Sequence, residues 1–273
     1  MKTKSCFSIS AIAIALFLVT KLGFAQTPPA PYGEVSFIKV SPGMNENYLS
    51  AMQIFKKTNN SRKTAKSISS WQLYRRVYPI DKSTLDFDYA TVEVFASGKE
   101  MQARKNYASY NAPFKELSAK EIVDAVGSFS NIRTIVARDL YTFRFGAGGG
   151  TKPGDYVMLT RVKASSGNLD AYEKTLESLK PVIEEAIKAG KLKSWNVWKR
   201  TLATNVAGAS DYTIGFAFNT LDEALSYASG KVEISADFKK VFPKEEYSVF
   251  RSKQVSLREL VSQEIWELVD MTN

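Results

Sequence analysis

The sequence predicts an α+β fold in which two tandem β-α-β-β-α-β units close into one pseudo-symmetric α/β barrel. The first observation is a repeated stretch: SSWQLYRRVYP at 69–79 returns as KSWNVWKRTLA at 193–203. The second is that the segments on both sides recur in the same order, at offsets of about 121 to 125 residues. A repeat at a nearly constant offset indicates a duplicated structural unit.

Each half contains four short segments of alternating or apolar residues, which are typical of strands. The segment GEVSFIKV, for example, returns as GDYVMLTRV. The matched strand pairs are 33–40 with 154–162, 69–79 with 193–203, 86–97 with 210–220, and 132–145 with 257–269.

Helices are predicted between these strands from apolar residues at helical spacing. They are marked by Tyr48, Met52 and Phe55 in the first half and by Leu169, Tyr172, Leu176, Leu179 and Ile183 in the second. Asn168 is the predicted N-cap of the second-half helix. Shorter helices are predicted near 98–110, 118–127 and 220–229, the middle one from the capping box Ser118 to Glu121, and another is predicted to begin at Pro243.

A unit of this kind places its helices on one face of a four-stranded sheet and leaves the other face to be buried. The third strand has a small face with Ala90 and Val92 and a bulky face with Tyr89, Glu93 and Phe95. We expect the small face to pack on the helices and the bulky face to meet the opposite sheet.

The glycine-rich stretch GAGGGTKPG at 146–154 indicates a connector between the halves, since it lacks the G-x-x-x-x-G-K-[ST] spacing of a phosphate loop. The predicted organisation is an N-terminal extension at 26–32, a first domain at 33–145, a linker at 146–153 and a second domain at 154–270.

The N-terminus resembles a cleaved signal peptide. Lys2 and Lys4 precede an apolar run at 9–19, and Ala25 is a small residue before the expected mature start at Gln26. The run is too short to span a bilayer, so residues 1–25 predict a secreted or periplasmic protein without a membrane span. The net charge falls from +9 to +6 on removal of three lysines, which favours an acidic partner over nucleic acid.

Histidine is absent from the sequence, and the one cysteine, Cys6, lies in the predicted signal peptide. A Ser-His-Asp triad, a histidine-ligated haem and a cysteine nucleophile are therefore excluded from the mature chain. We expect no metal and no cofactor.

The tandem units, the Trp-bearing second strands and the Asp-Tyr-led third strands (Asp88, Asp211) resemble the dimeric α/β-barrel superfamily, which includes antibiotic-biosynthesis-monooxygenase-like, EthD-like and NIPSNAP-like domains. The resemblance covers nearly all of 33–270. It implies two ferredoxin-like units that form an eight-stranded barrel around a cavity. It also implies a range of functions, from cofactor-free oxygenases to haem enzymes that depend on histidine.

Polar and aromatic residues alternate along the repeated second strands and are candidate ligand contacts. They are Gln72, Tyr74 and Arg76 with their counterparts Asn196, Trp198 and Arg200, and the first strands add the matched pair Lys39 and Arg161. They form either a wet strand face or barrel rim, with arginines stacked on rings, or a cavity wall that suits a small acidic or aromatic ligand.

Glu93 is the candidate for catalysis because its counterpart in the second half is Phe216. If the bulky face lines the lumen, Glu93 is either in an ion pair with Lys39 or Arg76 or a general base for a phenol-like substrate.

The sequence favours a non-catalytic module that binds a small molecule or a partner through the barrel cavity. One alternative is a cofactor-independent oxygenase-like enzyme with Glu93, Tyr74 and Arg76 in its site. A second is a structural envelope protein with a filled barrel, and oligomers remain possible. Fold alone does not choose between them.

Overall fold

A computed structural model describes residues 30–79, 85–103, 129, 131–203 and 210–272. The strands are β1 (Tyr32–Val40), β2 (Ser70–Pro79), β3 (Tyr89–Phe95), β4 (Arg133–Gly148), β5 (Tyr156–Ala164), β6 (Ser194–Ala203), β7 (Tyr212–Phe218) and β8 (Arg258–Met271). The helices are α1 (Asn45–Thr64), α2 (Gly98–Ala103), α3 (Leu169–Ser178), α4 (Lys180–Lys188), α5 (Leu221–Ala228), α6 (Ser235–Val241) and α7 (Tyr247–Ser256).

The eight strands form a closed antiparallel barrel in the order β1-β3-β2-β8-β5-β7-β6-β4. Within this ring the first half supplies the run β4-β1-β3-β2 and the second half supplies β8-β5-β7-β6. Two seams, β2 with β8 and β4 with β6, join the halves. Closure removes the unpaired sheet edges that either half alone would expose. The predicted fold class, two tandem ferredoxin-like units in one barrel, is confirmed.

Large aromatic residues pack under the helices, outside the barrel wall. Trp71 and Trp195 of the repeated strands are each 2% exposed and belong to the two sheet–helix cores. Tyr89 packs on Tyr48 of α1, with ring centroids 4.8 Å apart.

The predicted assignment of the two strand faces is wrong. Ala90 and Val92 of β3 and Ala217 of β7 face the lumen, while Tyr89 and Phe95 face the helices. Small residues are needed inside because bulky side chains from other strands already fill much of the lumen.

Equivalent aspartates secure the start of the third strand in each half. Asp88 Oδ2 accepts the backbone N–H of Val40, and Asp211 Oδ2 accepts that of Ala164, each at 2.8 Å. This contact explains why the Asp-Tyr pair is repeated: the carboxylate satisfies a backbone donor at the end of the first strand.

Several local predictions differ from the structure. The single helix predicted from Leu169 to Ile183 is divided at Leu179 into α3 and α4, and Asn168 makes no side-chain cap hydrogen bond. Pro243 lies between α6 and α7 instead of opening a helix. β4 continues through Gly148, into the predicted linker.

Other predictions fall outside the described residues, namely the signal peptide and the helix at 118–127. Within the described part of the chain, no helix is long and apolar enough to cross a membrane.

Candidate functional site in the barrel lumen

The lumen holds a cavity of about 270 Å³ near the end where β1, β2, β5 and β6 begin. We call this the linker end, because Gly149, Gly150 and Thr151 of the β4–β5 connection also border the cavity. Apolar and aromatic side chains supply much of the wall, namely Val35, Phe37, Val92, Val94, Val157, Leu159, Ala217 and Trp266.

The repeated second strands place an amide beside an aromatic ring on each side of the cavity. The Tyr74 hydroxyl donates to Gln72 Oε1 at 3.1 Å, and Trp198 Nε1 donates to Asn196 Oδ1 at 3.0 Å. All four side chains line the cavity. Burial raises the pKa of Tyr74 to about 12, against a hydrogen bond with Thr151 that lowers it, so Tyr74 is a neutral donor at physiological pH.

The last strand of each half repeats this arrangement with a carboxylate. The Tyr141 hydroxyl donates to Asp139 Oδ2 at 3.0 Å, and Trp266 Nε1 donates to Glu264 Oε2 at 2.8 Å. Four of the eight strands, β2, β4, β6 and β8, therefore carry an aromatic donor on the lumen side and an acceptor two residues before it. This hydrogen bond fixes the orientation of each ring.

Two glycines make room for these side chains. A β-carbon on Gly33 would lie 3.2 Å from the Trp198 ring, and one on Gly215 would lie 2.7 Å from Asn196 Oδ1. A side chain at either position would displace the amide–indole pair.

A buried ion pair lies beside the cavity. Arg161 Nη1 is 3.0 Å from Glu264 Oε2, and the two residues are 8% and 0% exposed. The guanidinium lies near the rings of Phe37 and Trp266, at 5.3 and 5.6 Å from their centroids. Arg161 is the one cation among the described lining residues, and Glu264 balances its charge.

Phe87 closes the far end of the barrel, opposite the linker end. It is 1% exposed and meets Phe37 edge-on, with ring centroids 5.0 Å apart. Arg76 covers it, with its guanidinium 4.3 Å from the Phe87 centroid and Nη1 donating to the Leu85 carbonyl at 2.9 Å. Phe87 thus acts as a plug at the far end. Arg76 covers this plug from outside and does not line the cavity.

Two other predicted contact residues are in ion pairs away from the cavity. Lys39 Nζ lies 2.8 Å from Asp86 and 3.1 Å from Asp88. Arg200 donates to Asp139 at 2.8 Å. Of the eight predicted contact residues, the structure thus brings together Gln72, Tyr74, Arg161, Asn196 and Trp198.

Glu93 does not face the lumen, so its predicted position was wrong. It pairs in register with Trp71 on the helix side of the sheet. Its two carboxylate oxygens accept from both terminal nitrogens of Arg62 on α1, at 3.0 and 3.1 Å, and Arg62 also donates to Asn59 at 2.6 Å. This bidentate pair ties α1 to β3, and we assign Glu93 no catalytic role.

Sequence reasoning missed Glu264. The signal was present in its alternation with Ser262, Trp266 and Leu268, which places all four on one strand face. Both faces of β8 carry apolar residues, Val261, Ile265 and Val269 on one and Trp266 and Leu268 on the other, so the sequence did not show which face was inside.

A second, larger cavity of about 420 Å³ lies outside the barrel wall, between the sheet of the second half and its helices. Its lining includes Leu176, Trp195 and Phe216 together with Arg251 and Arg258. It shares no lining residue with the lumen cavity.

The fold is shared with solved structures, although no protein-family model and no curated protein matches the sequence. An anthrone oxidase-like protein is 12% identical, with a TM-score of 0.51 over 90% of this chain and 93% of that chain. The chain has the dimeric α/β-barrel fold.

Other dimeric α/β-barrel structures match at lower scores. A haem-binding protein from Thermus thermophilus is 10% identical, with a TM-score of 0.48 over 89% of this chain and 92% of that chain. A mutant chlorite dismutase from Candidatus Nitrospira defluvii is 9% identical, with a TM-score of 0.46 over 89% and 93%. Identities this low show the fold alone.

A haem held by an axial histidine does not fit this dimeric α/β-barrel chain, because the sequence contains no histidine. Among the described residues, no cluster of three or more His, Cys, Asp or Glu side chains is placed to hold a metal ion.

Proposed function

We propose that the protein binds a small, uncharged aromatic molecule in the barrel lumen. The observation that carries this proposal is the cavity of about 270 Å³ between Tyr74 and Trp198, with an amide beside each ring. Ligand pockets span about 300–1,000 Å³. At about 270 Å³ this cavity lies just below that range, so it suits a small molecule of one or two rings. A largely apolar wall with a few placed polar groups is typical of such sites.

The ion pairs support an uncharged ligand over an acidic one. Arg161, the cation at the cavity, is compensated by Glu264. The other cations predicted to attract an acid, Lys39, Arg76 and Arg200, lie near carboxylates at the far end. An acidic ligand would have to compete with these carboxylates or add an unpaired charge to a low-dielectric site.

The same geometry supports binding over catalysis. A cofactor-independent oxygenase, the alternative, would need a base beside a phenol-like substrate. Among the described lining residues, the side chains that titrate as acids are Tyr74 and Tyr141, and burial raises the pKa of both. A tyrosine with a raised pKa holds its proton and is a poor base at neutral pH.

We place this binding activity outside the cytoplasm, because residues 1–25 have the pattern of a signal peptide.

The test is titration of the full chain with para-diacetylbenzene, followed by fluorescence of the lumen tryptophans and by calorimetry. Val94→Phe fills the wall of the lumen cavity, and Ala228→Phe fills the wall of the outer cavity. We expect Val94→Phe to weaken binding at least tenfold and Ala228→Phe to leave it unchanged, with both variants folded by circular dichroism.

Absence of binding to the wild-type chain would refute the proposal. The reverse pattern, in which only Ala228→Phe weakens binding, would move the site to the outer cavity. Native mass spectrometry of the protein from its own host then identifies any ligand retained on purification.

A further inference from the structure

The two amides of the repeated stretch face each other across the lumen. β2 and β6 are four strands apart in a ring of eight, so they lie on opposite sides of the barrel. Gln72 pairs in register with Val92, and Asn196 pairs with Gly215, the corresponding residue of the second half. The pseudo-twofold relation between the halves therefore places both amides at the same depth, near the linker end.

The oxygen of each amide accepts a hydrogen bond from the aromatic side chain two residues further along its strand. An indole N–H only donates, so the oxygen of Asn196 must face Trp198 and the NH₂ group must face away from it. The Tyr74 hydroxyl can donate or accept, and in the structure it donates to Gln72 Oε1, so the Gln72 NH₂ group also faces away from the ring. Among the described residues, neither amide nitrogen donates to another group. Each side of the cavity therefore presents an NH₂ donor.

We infer that Gln72 and Asn196 form a two-point clamp for a planar ligand that carries hydrogen-bond acceptor oxygens, such as carbonyls, on opposite edges. This inference rests on the proposed lumen site and specifies its ligand class. The aromatic partner of each amide holds the donor in place before the ligand arrives, which lowers the entropic cost of binding.

The clamp also excludes molecules. A ligand without acceptors leaves two desolvated NH₂ groups unpaired, and a site built to hydrogen-bond its ligand discriminates strongly against an analogue that lacks the partner. A ligand whose groups at these points can only donate, such as indole-type N–H groups, meets donors and is disfavoured.

The test uses three uncharged probes of similar shape, para-diacetylbenzene, para-isopropylacetophenone and para-diisopropylbenzene, which carry two, one and no acceptor oxygens. We expect the Kd to rise about fivefold for each carbonyl replaced, since one net hydrogen bond contributes about 1 kcal/mol. This order of affinities is informative because isopropyl groups are more hydrophobic than acetyl groups. Without the clamp, the probes with isopropyl groups would bind better.

Two variants remove the donors while keeping the acceptors that Tyr74 and Trp198 require. Gln72→Glu and Asn196→Asp should each lower the preference for diacetyl over diisopropyl probe at least fivefold. Gln254→Glu, on α7 outside the barrel, adds the same charge and should leave the preference unchanged. Circular dichroism and thermal unfolding confirm that each variant is folded.

The outcomes separate the two proposals. Equal affinity for the three probes, or a preference that survives in both lumen variants, overturns the clamp while lumen binding stands. If no probe binds the wild-type chain, the lumen site and the clamp fail together.

Discussion

At the scale of single residues, the Arg62–Glu93 pair is structural. Arg62 has a side-chain exposure of 5% and Glu93 one of 17%, so the two charges compensate each other where water has little access. Truncating one partner of a buried ion pair is costly because it leaves a desolvated charge behind.

We expect Glu93→Gln to lower the free energy of unfolding by about 1–3 kcal/mol, since the amide keeps the shape but not the charge that Arg62 requires. Urea denaturation measures this loss, and Glu259→Gln, at an exposed position on β8, should change stability by less than about 0.5 kcal/mol. Probe affinity should not change. A variant of normal stability that has lost its ligand would return Glu93 to the binding site.

Among single residues, the shared strand face of the candidate contacts could be predicted from the sequence, and the partner of Glu93 could not. The alternation of Gln72, Tyr74 and Arg76 placed them on one face, and its repetition in Asn196, Trp198 and Arg200 indicated a shared role. The partner of Glu93 could not be predicted, because Arg62 lies on a helix and alternation within strands gives no information about contacts to helices.

At the scale of elements, the segment before β3 is asymmetric between the halves. Phe87 plugs the first half's side of the far end, whereas the corresponding position of the second half is Ser210. Phe87 packs on Phe37 and also on Trp266, whose ring centroid is 5.7 Å away.

We expect Phe87→Ala to destabilise the protein by about 3–5 kcal/mol, because it removes a buried ring and leaves a cavity at the barrel end. Ser210→Ala, at the corresponding position, should cost less than about 1 kcal/mol. Denaturant unfolding compares them, and Phe87→Leu, with an intermediate loss, serves if the alanine variant does not fold. Equal effects at positions 87 and 210 would contradict the plug.

Element order could be predicted well, and the inside of the barrel could not. Strand and helix periods are local properties of the sequence, so the four strands of each half were found close to their observed bounds. Which strand face lies inside depends on the partner sheet. Ala90 and Val92 are small because Tyr74 and Trp266 occupy the lumen, and that relation is visible only after closure.

At the scale of the whole molecule, buried tyrosines link stability to alkaline pH. Burial raises the pKa of Tyr74 to about 12, opposed by its hydrogen bond with Thr151, and raises that of Tyr172 to about 12, opposed by the charge of Arg258. These phenols keep their protons in the folded state at a pH where the unfolded chain releases them.

The protein should therefore keep its full stability below about pH 10 and lose about 1–3 kcal/mol per such tyrosine as the pH rises from 10 towards 12. Tyrosinate absorbance and far-ultraviolet circular dichroism should change together in this range. Tyr172→Phe should move the unfolding midpoint to higher pH. Ionisation of all tyrosines near pH 10 with unchanged secondary structure would contradict this account.

The fold of the whole molecule could be predicted because each half forms a single sheet with a bare face and two unpaired edges. The repeat supplies a second sheet, which covers the bare face and pairs with the edges of the first. The ligand of the lumen could not be predicted in the same way, since it depends on which side chains meet across the seams.

Because both seams join parts of one chain, closure of the barrel does not depend on protein concentration. A barrel made from two separate chains would dissociate on dilution. In this protein the seams β2–β8 and β4–β6 join parts of one polypeptide, so closure depends on an effective concentration that the short β4–β5 connection holds constant. One chain also lets each half mutate alone. Gln can therefore face Asn, and Tyr can face Trp, so the ligand of a two-fold barrel need not itself be symmetric.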